Sequence, residues 1–389
     1  MEPEVTVSGW EAKALNTLHT LTGVEWDSQK VAGTFYTKIA FPEEASRQVV
    51  NTLRSFEMKA SCVPGPESST SYVRVSSSTI QKAGGYTSFA FPCIAQLVRE
   101  DIKIKFNSLN QRNGEIEGWI KEHEGYSFDA VNRFDPDSRG TRCPKLTELT
   151  YSKTICYEDE DGATHTETMQ VPFCCHANSV VLNGMRVICS QAPRDDTEGE
   201  FWQAVKAKSS MILDLTNKTD REKKEVQRYF PPEINDVCAY DVGDIRVTCI
   251  AEERDIAGDK RLKRHYYVVQ EGAELSGKMV SRLHFRGWPD SGAVSVEDLS
   301  MIVHYIRSQK LVNEVELLWM HCRAGVGRTG TVTVALVLAQ MREEGTLTLE
   351  NYAEVIDELI IEGRKQRDIL FVQDVSQYQL LHDFAKNLF

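Results

Sequence analysis

Cys322 and Arg328 close the two ends of a short glycine-bearing run, Cys322-Arg323-Ala324-Gly325-Val326-Gly327-Arg328, with His321 before it and Thr329 after it. An apolar, strand-like segment (Val315 to Met320) leads in, and a helix-like one (Thr331 to Met341) leads out. Strand, tight loop and helix together make an anion cradle, because loop amides and the positive end of the helix converge on one spot. Amides, helix dipole and a nearby guanidinium all favour a thiolate there. The planar fork of Arg328 suits two phosphate oxygens at once. The chemistry these residues could perform is transfer of a phosphoryl group to sulfur. The plainer reading is a buried structural cysteine beside a chance arginine.

His-Cys, five residues, then Arg-Thr resembles the signature of the cysteine-dependent protein tyrosine phosphatases. The resemblance implies a highly twisted mixed α/β sheet flanked by helices, a phosphocysteine intermediate on Cys322, and no metal or cofactor. It implies that Ala324, Gly325, Val326 and Gly327, with Arg323 at the pocket mouth, surround the bound phosphate. Trp288-Pro289-Asp290, 32 residues before Cys322, looks like the family's acid loop. A phenol has a pKa of about 10, so a tyrosine oxygen leaves readily at neutral pH only when protonated as its bond breaks. By resemblance Asp290 is that acid, and afterwards the base that activates water. Trp288 is the hinge anchor beside the substrate. Gln373 and Gln377 resemble the glutamine pair that positions the water. Thr329 donates to the sulfur and eases its departure, while His321 holds the loop and tunes the thiolate.

Further matches run through residues 130–389. Asn132-Arg133-Phe134 resembles the recognition loop, in which Phe134 stacks on the phosphotyrosine ring and deepens the pocket. Pro136 stands where the family's backbone-gripping acid belongs. Phe201, Trp202 and Tyr229 read as core. Asp220 or Glu222 could hold Arg328. Arg323, and the spacing from Arg367 to Gln373, resemble tyrosine phosphatases that bacteria inject into host cells. That likeness implies a virulence effector acting on tyrosine-phosphorylated host proteins in the host cytoplasm. Two other functions stay open: a phosphoinositide phosphatase, favoured by Arg323 but not by Val326, and a phosphotyrosine-binding adaptor.

The remaining sequence must position these groups. The 389 residues suffice for two domains, and a net charge of −12 argues against a nucleic-acid partner. No signal peptide and no membrane-span-length apolar run is evident. Ten cysteines without framework spacing point to reduced thiols in a cytoplasmic compartment. Cys174-Cys175-His176 has no second ligand pair at zinc spacing. The chain divides near residue 92. Residues 1–92 read as a small α/β domain, either a folding partner or a module docking a partner or a secretion chaperone. Residues 93–389 read as the catalytic domain. Expected helices in the first part are Glu11 to Thr22 and Pro42 to Phe56. Its expected strands are Val31 to Phe41, Met58 to Val63 and Tyr72 to Ser76. In the second part, predicted helices at Ile94 to Leu109, Thr197 to Lys208, Val296 to Lys310, Val332 to Glu344, Leu349 to Arg367 and Val375 to Leu388 alternate with strands. The strands include Val180 to Cys189, Ser210 to Leu215, Asp244 to Ala251, His265 to Gln270, Lys278 to Phe285 and Val315 to Met320. Ser295 and Asp298 form a capping box, and Gly345 a helix stop.

Overall fold

The computed structural model describes residues 102–127, 143–158, 164–173, 175–194, 197–222, 226, 228–241, 244–256, 258–289, 292–309 and 317–389; earlier, it describes strands and isolated positions within 26–76. The chain forms two compact units, residues 1–110 and 111–389.

The first unit holds an antiparallel sheet of β1 (Trp26–Val31), β2 (Thr34–Thr37), β3 (Phe41–Pro42), β4 (Ala60–Pro64) and β5 (Thr70–Ser76), in which β5 pairs with β2, β3 and β4. The strand predicted from Val31 to Phe41 is not continuous. Val31 pairs antiparallel with Thr34, so the chain reverses there. The helix predicted over Glu11 to Thr22 lies outside the described residues. Of Pro42 to Phe56, only positions 47 and 50 beyond the short β3 are described, and both are helical.

The second unit begins with α1 (Asn113–Glu122) and a hairpin of β6 (Thr150–Glu158) and β7 (Thr164–Pro172). Its main sheet has eight strands. In chain order they are β8 (Ala177–Leu182), β9 (Met185–Ser190), β10 (Met211–Asp214), β11 (Val237–Tyr240), β12 (Ile245–Ile256), β13 (Asp259–Glu271), β14 (Lys278–Phe285) and β15 (Leu318–His321). Across the sheet the order is β11-β12-β13-β14-β10-β15-β9-β8. The four strands β14, β10, β15 and β9 run parallel, and the outer pairs are antiparallel. Strands β10 and β15 are buried at every position, as parallel strands covered on both faces must be. Register aligns His284, Asp214, His321 and Ser190 in one row at the carboxyl ends of the parallel strands. In open α/β sheets that edge is where ligands bind.

Around the sheet lie α2 (Glu198–Lys208), α3 (Lys218–Glu222), α4 (Val296–Ser308), α5 (Gly327–Glu343), α6 (Tyr352–Gln366) and α7 (Val375–Asn387). Helix α5 is buried without interruption from Gly327 to Ala339 and touches α4, α6, α7 and β9, so it is the central helix. Half of the predicted capping box forms: Ser295 Oγ accepts from the Asp298 amide at 3.1 Å, while the Asp298 carboxylate pairs with Arg261. Gly345 takes φ +74° at the end of α5, as predicted. Phe201, Trp202, Tyr229 and Trp319 are fully buried and meet edge-on or tilted.

The strand predicted from Val180 to Cys189 is instead the β8–β9 hairpin. Asn183 and Gly184 have φ of 46° and 79°, the left-handed pair a two-residue hairpin turn demands. The β6–β7 hairpin was not predicted. Strands β12 and β13 extend well past their predicted ends into a long, partly exposed hairpin.

Three histidines are held neutral by burial. His265 is pushed down to about 4, and His284 and His321 are also lowered, with burial the first cause in each. A base depressed in the folded state binds fewer protons than the unfolded chain, so stability falls as pH drops from about 6.5 toward the folded value. Thermal unfolding should therefore begin at least about 4 °C lower at pH 5 than at pH 7.5. Differential scanning calorimetry at the two pH values checks this, and an unchanged onset would contradict it.

Candidate active site

Strand β15 ends at His321 and delivers Cys322, which is 4% exposed. Helix α5 begins at Gly327 behind an N-cap residue, Val326, whose side chain caps nothing. The first-turn amides are thus left for another acceptor. The Gly325 amide donates to Cys322 Sγ at 3.2 Å. Gly325 has φ +73°, and a Cβ placed on it would lie 1.9 Å from the Ser190 carbonyl oxygen of neighbouring β9. Only glycine fits that turn. Behind the loop, the fully buried Arg367 donates from Nε to the Gly325 carbonyl and from Nη2 to the Ala324 carbonyl, both at 3.1 Å. Its Nη1 reaches Asn178 Oδ1 at 2.5 Å, and Nη2 lies 3.0 Å from His176 Nδ1. His176, weighed in the sequence as part of a metal cluster, thus serves Arg367.

Arg328 is buried and held from one side by Asp220, with Nη1 2.5 Å from Oδ2 and Nη2 3.3 Å from Oδ1. Its Nη1 also donates to the Leu215 carbonyl at 3.2 Å. Of the two acids that the sequence left open, Asp220 is the partner. Asp220 is fixed in turn by Asn217, whose amide donates to Oδ2 while its Oδ1 accepts from the Asp220 amide, each at 2.9 Å. Asn217 Nδ2 then donates to the Trp288 carbonyl, also at 2.9 Å. Trp288 is buried, and its Nε1 donates to the Gly292 carbonyl at 3.3 Å. Asp290 itself lies outside the described residues, as does Phe134. The flanks of Asp290 are placed, because Gly292 also accepts from Gln377 Nε2 at 3.5 Å.

Gln377 Oε1 accepts from the Gln373 amide at 3.1 Å. Both glutamines lie against Gly327, where an added Cβ would meet Gln377 at 3.1 Å and Gln373 at 3.2 Å. Gly330 and Gly363 make room for Phe371, the residue that seats this segment. Val372 takes φ +58°, a costly conformation for a β-branched residue, while its amide bonds the Val326 carbonyl at 3.3 Å.

His321 is fully buried. Its Nε2 lies 2.6 Å from the Tyr229 hydroxyl and its Nδ1 3.2 Å from the Cys322 carbonyl. Beneath it is a buried ion pair: Arg282 Nε donates to Asp214 Oδ2 at 3.0 Å and to the Tyr229 hydroxyl at 3.2 Å. Cationic and imidazole neighbours, above all His284 and Arg282, hold the Asp214 carboxyl well below the usual carboxylate range despite its burial. The hydroxyl of Thr329, expected to donate to the sulfur, is buried with no hydrogen-bond partner in this arrangement. Arg323 is half-buried, and its carbonyl accepts from the Ala192 amide at 2.9 Å.

Cys322, Gly325, Gly327, Arg328, Trp288, Gln373 and Gln377 are therefore linked through these contacts. Sequence reasoning missed Asn217 and the Asp214–Arg282 pair, and did not see what Arg367 and Asn178 hold. Each acts through backbone carbonyls or a buried partner, so spacing alone carried no signal. A charge inside an apolar strand, as in Met211-Ile212-Leu213-Asp214, was the one available hint.

Gly325→Ala should leave a folded protein that turns over about 100-fold more slowly or worse, because the added methyl displaces the loop by an ångström or more. Steady-state kinetics with circular dichroism checks this; turnover near that of the parent chain would contradict the close approach to Ser190.

Residues 148–387 match the protein-tyrosine phosphatase family profile. Tyrosine-protein phosphatase 3 of Schizosaccharomyces pombe is 24% identical over 272 residues, spanning 65% of this chain and 88% of that protein. The human receptor-type tyrosine-protein phosphatase epsilon is 26% identical over 303 residues, 75% of this chain but only 39% of the relative. Among solved structures, the Trypanosoma brucei protein tyrosine phosphatase TbPTP1 superposes with a TM-score of 0.57 at 20% identity, covering 74% of this chain and 90% of that one. The Trypanosoma cruzi enzyme TcPTP1 gives 0.54 at 20% identity, covering 72% and 92%. At that identity the structures speak for the fold, a twisted mixed sheet flanked by helices, as the sequence led us to expect. These relatives are eukaryotic, and none of them is an injected bacterial enzyme. With a profile match across more than half of its length, the chain belongs to the protein-tyrosine phosphatase family and is an enzyme of that class.

Proposed function

We propose that this chain hydrolyses phosphotyrosine in proteins through a phosphocysteine on Cys322. The observation that carries the reading is the cradle. One face of the loop offers sulfur and amide, with Gly325 N 3.2 Å from Cys322 Sγ, and Asp220 fixes Arg328 beside it. In the first step the thiolate attacks phosphorus. As the S–P bond forms, the bond from phosphorus to the tyrosine oxygen breaks, and that oxygen takes the proton of Asp290. Loop amides and Arg328 hold the three remaining oxygens as charge develops on them. In the second step water attacks the phosphocysteine and gives a proton to Asp290. The S–P bond breaks, and inorganic phosphate leaves. Gln373 and Gln377, placed against Gly327, are suited to orient that water. His321 acts as a positioning residue, since burial keeps it neutral and Tyr229 fixes its ring. Thr329 has an uncommitted hydroxyl one residue past Arg328, available to the sulfur as it departs. Phe134 is assigned the ring-stacking role by resemblance.

Val326 is buried and apolar, so the loop lacks the second basic residue that would favour a phosphoinositide. Arg323 and the spacing from Arg367 to Gln373 are what support an injected effector. The docking role of residues 1–92, with its chaperone or partner, rests on their composition. Among the described residues no helix is long and apolar enough to cross a membrane.

Asp290→Ala should slow turnover of a phosphotyrosine peptide by about 10²- to 10⁴-fold. It should slow an aryl phosphate with an acidic phenol much less. Cys322→Ser should abolish turnover of both. Side-by-side assays on phosphotyrosine peptide, phosphoserine peptide and phosphoinositide settle the substrate. Equal slowing of both leaving groups, or preference for the lipid, would sink the assignment.

A further inference from the structure

A second basic cavity lies on β12, β13 and β14 and the segment that follows Tyr229. Six cationic side chains line it: Arg221, Arg228, Arg254, Lys263, Arg282 and Arg286. Only two carboxylates, Glu233 and Glu252, stand against them. In a chain whose net charge is −12, such a concentration of positive charge needs an explanation. Its volume of about 710 Å³ falls within the roughly 300–1,000 Å³ of small-ligand sites.

Two features of the floor distinguish it from a solvated basic face. Arg282 is fully buried; Asp214 and Tyr229 use its Nε and Nη2, yet its Nη1 has no hydrogen-bond partner. His265, 7% exposed, has an equally unpartnered Nδ1. A buried guanidinium donor such as Arg282 Nη1 is rarely left unsatisfied, and buried ring nitrogens also seek partners. Glu252 answers only part of the charge, pairing with Arg254 at 2.7 Å and Lys263 at 3.1 Å. Those contacts, with Arg254 the larger, hold its carboxyl down to about 2. Arg228 and Arg286 have no acid within ion-pair distance among the described residues.

We propose that this cavity binds a small, multiply phosphorylated soluble ligand, seated on Arg282 Nη1 and ringed by Arg228, Arg254 and Arg286. The size and the spread of cations over several elements fit a compact polyanion with several phosphate groups better than a single phosphate. No residue of the Cys322 loop lines the cavity, and the proposal does not depend on the phosphatase reading, because its test is a binding measurement.

The full chain is titrated calorimetrically with inositol hexakisphosphate as the probe, with vanadate present at a concentration that abolishes turnover. One-to-one binding that weakens as salt rises is expected. In Arg228→Gln/Arg254→Gln the affinity should fall at least about tenfold, while basal turnover of an aryl phosphate stays within about twofold. Arg228→Gln alone, on an exposed side chain, serves if the double variant fails to fold and should weaken binding in the same direction. Absence of binding to the vanadate-blocked protein, or an affinity unchanged in the variants, overturns the proposal. So does a third result: no binding of the probe, but a raised KM for a doubly phosphorylated peptide in the variant and none for a singly phosphorylated one. The occupant would then be a substrate's second phosphate.

Discussion

A loop can present its amides to an anion only if its carbonyls are satisfied elsewhere, and Arg367 meets that condition. Its guanidinium takes the carbonyls of Ala324 and Gly325 from behind, and two more of its hydrogens face Asn178 and His176. The Gly325 amide is thereby turned to the other face, toward Cys322. Gly325 makes the turn sterically feasible, since its left-handed φ leaves no room for a side chain beside Ser190. Under the proposed function the cradle is therefore pre-organised before phosphate arrives, and little reorganisation is needed as charge develops on it.

The same logic of meeting every buried charge runs beneath the loop. Arg282 and Asp214 are both fully buried on adjacent strands. Stranding either would cost about 3–5 kcal/mol, so the pair is committed as a unit. Tyr229 bridges it to His321, which ties the first residue of the loop to the centre of the sheet. Burial also keeps His321 neutral. The Tyr229 hydroxyl and the Cys322 carbonyl each lie beside one of its ring nitrogens, which fixes the ring and leaves it little capacity to shuttle protons.

Much of the candidate site was legible because the chemistry proposed for it fixes residue types at short spacing. Cys322, Arg328 and the loop glycines stand within one run. Continuous apolar stretches showed the buried parallel strands, and Ser295 with Asp298 marked a helix start. What escaped the sequence was long-range pairing. Arg367 reads as a helix-end cation until the fold brings it under Gly325, 42 residues away. Asp220 could not be told from Glu222, because the two stand two residues apart on α3 and only the fold decides which carboxylate faces Arg328. The β8–β9 turn was missed although Asn183-Gly184 is a strong hairpin signal, because an apolar run was read through it. The outer hairpins, half-exposed and polar, lack the continuous apolar pattern of the central strands.

Asn217 joins two parts that the reaction must use together. Its backbone and side-chain oxygen fix Asp220, the partner of Arg328, and its side-chain nitrogen holds the Trp288 carbonyl. Arg328, the proposed phosphate clamp, and Trp288, beside the proposed acid, thus share one anchor. Gln377 makes the matching link on the other side, from Gly292 to the Gln373 amide. Asp290 sits in sequence between Trp288 and Gly292, so each flank of the proposed acid is tied to a residue that also holds a group assigned to the phosphate or the water. A general acid must lie within about 3 Å of the oxygen it protonates. For the proposed acid, tying Trp288 and Gly292 to the cradle's own supports is a direct way for a fold to satisfy that distance.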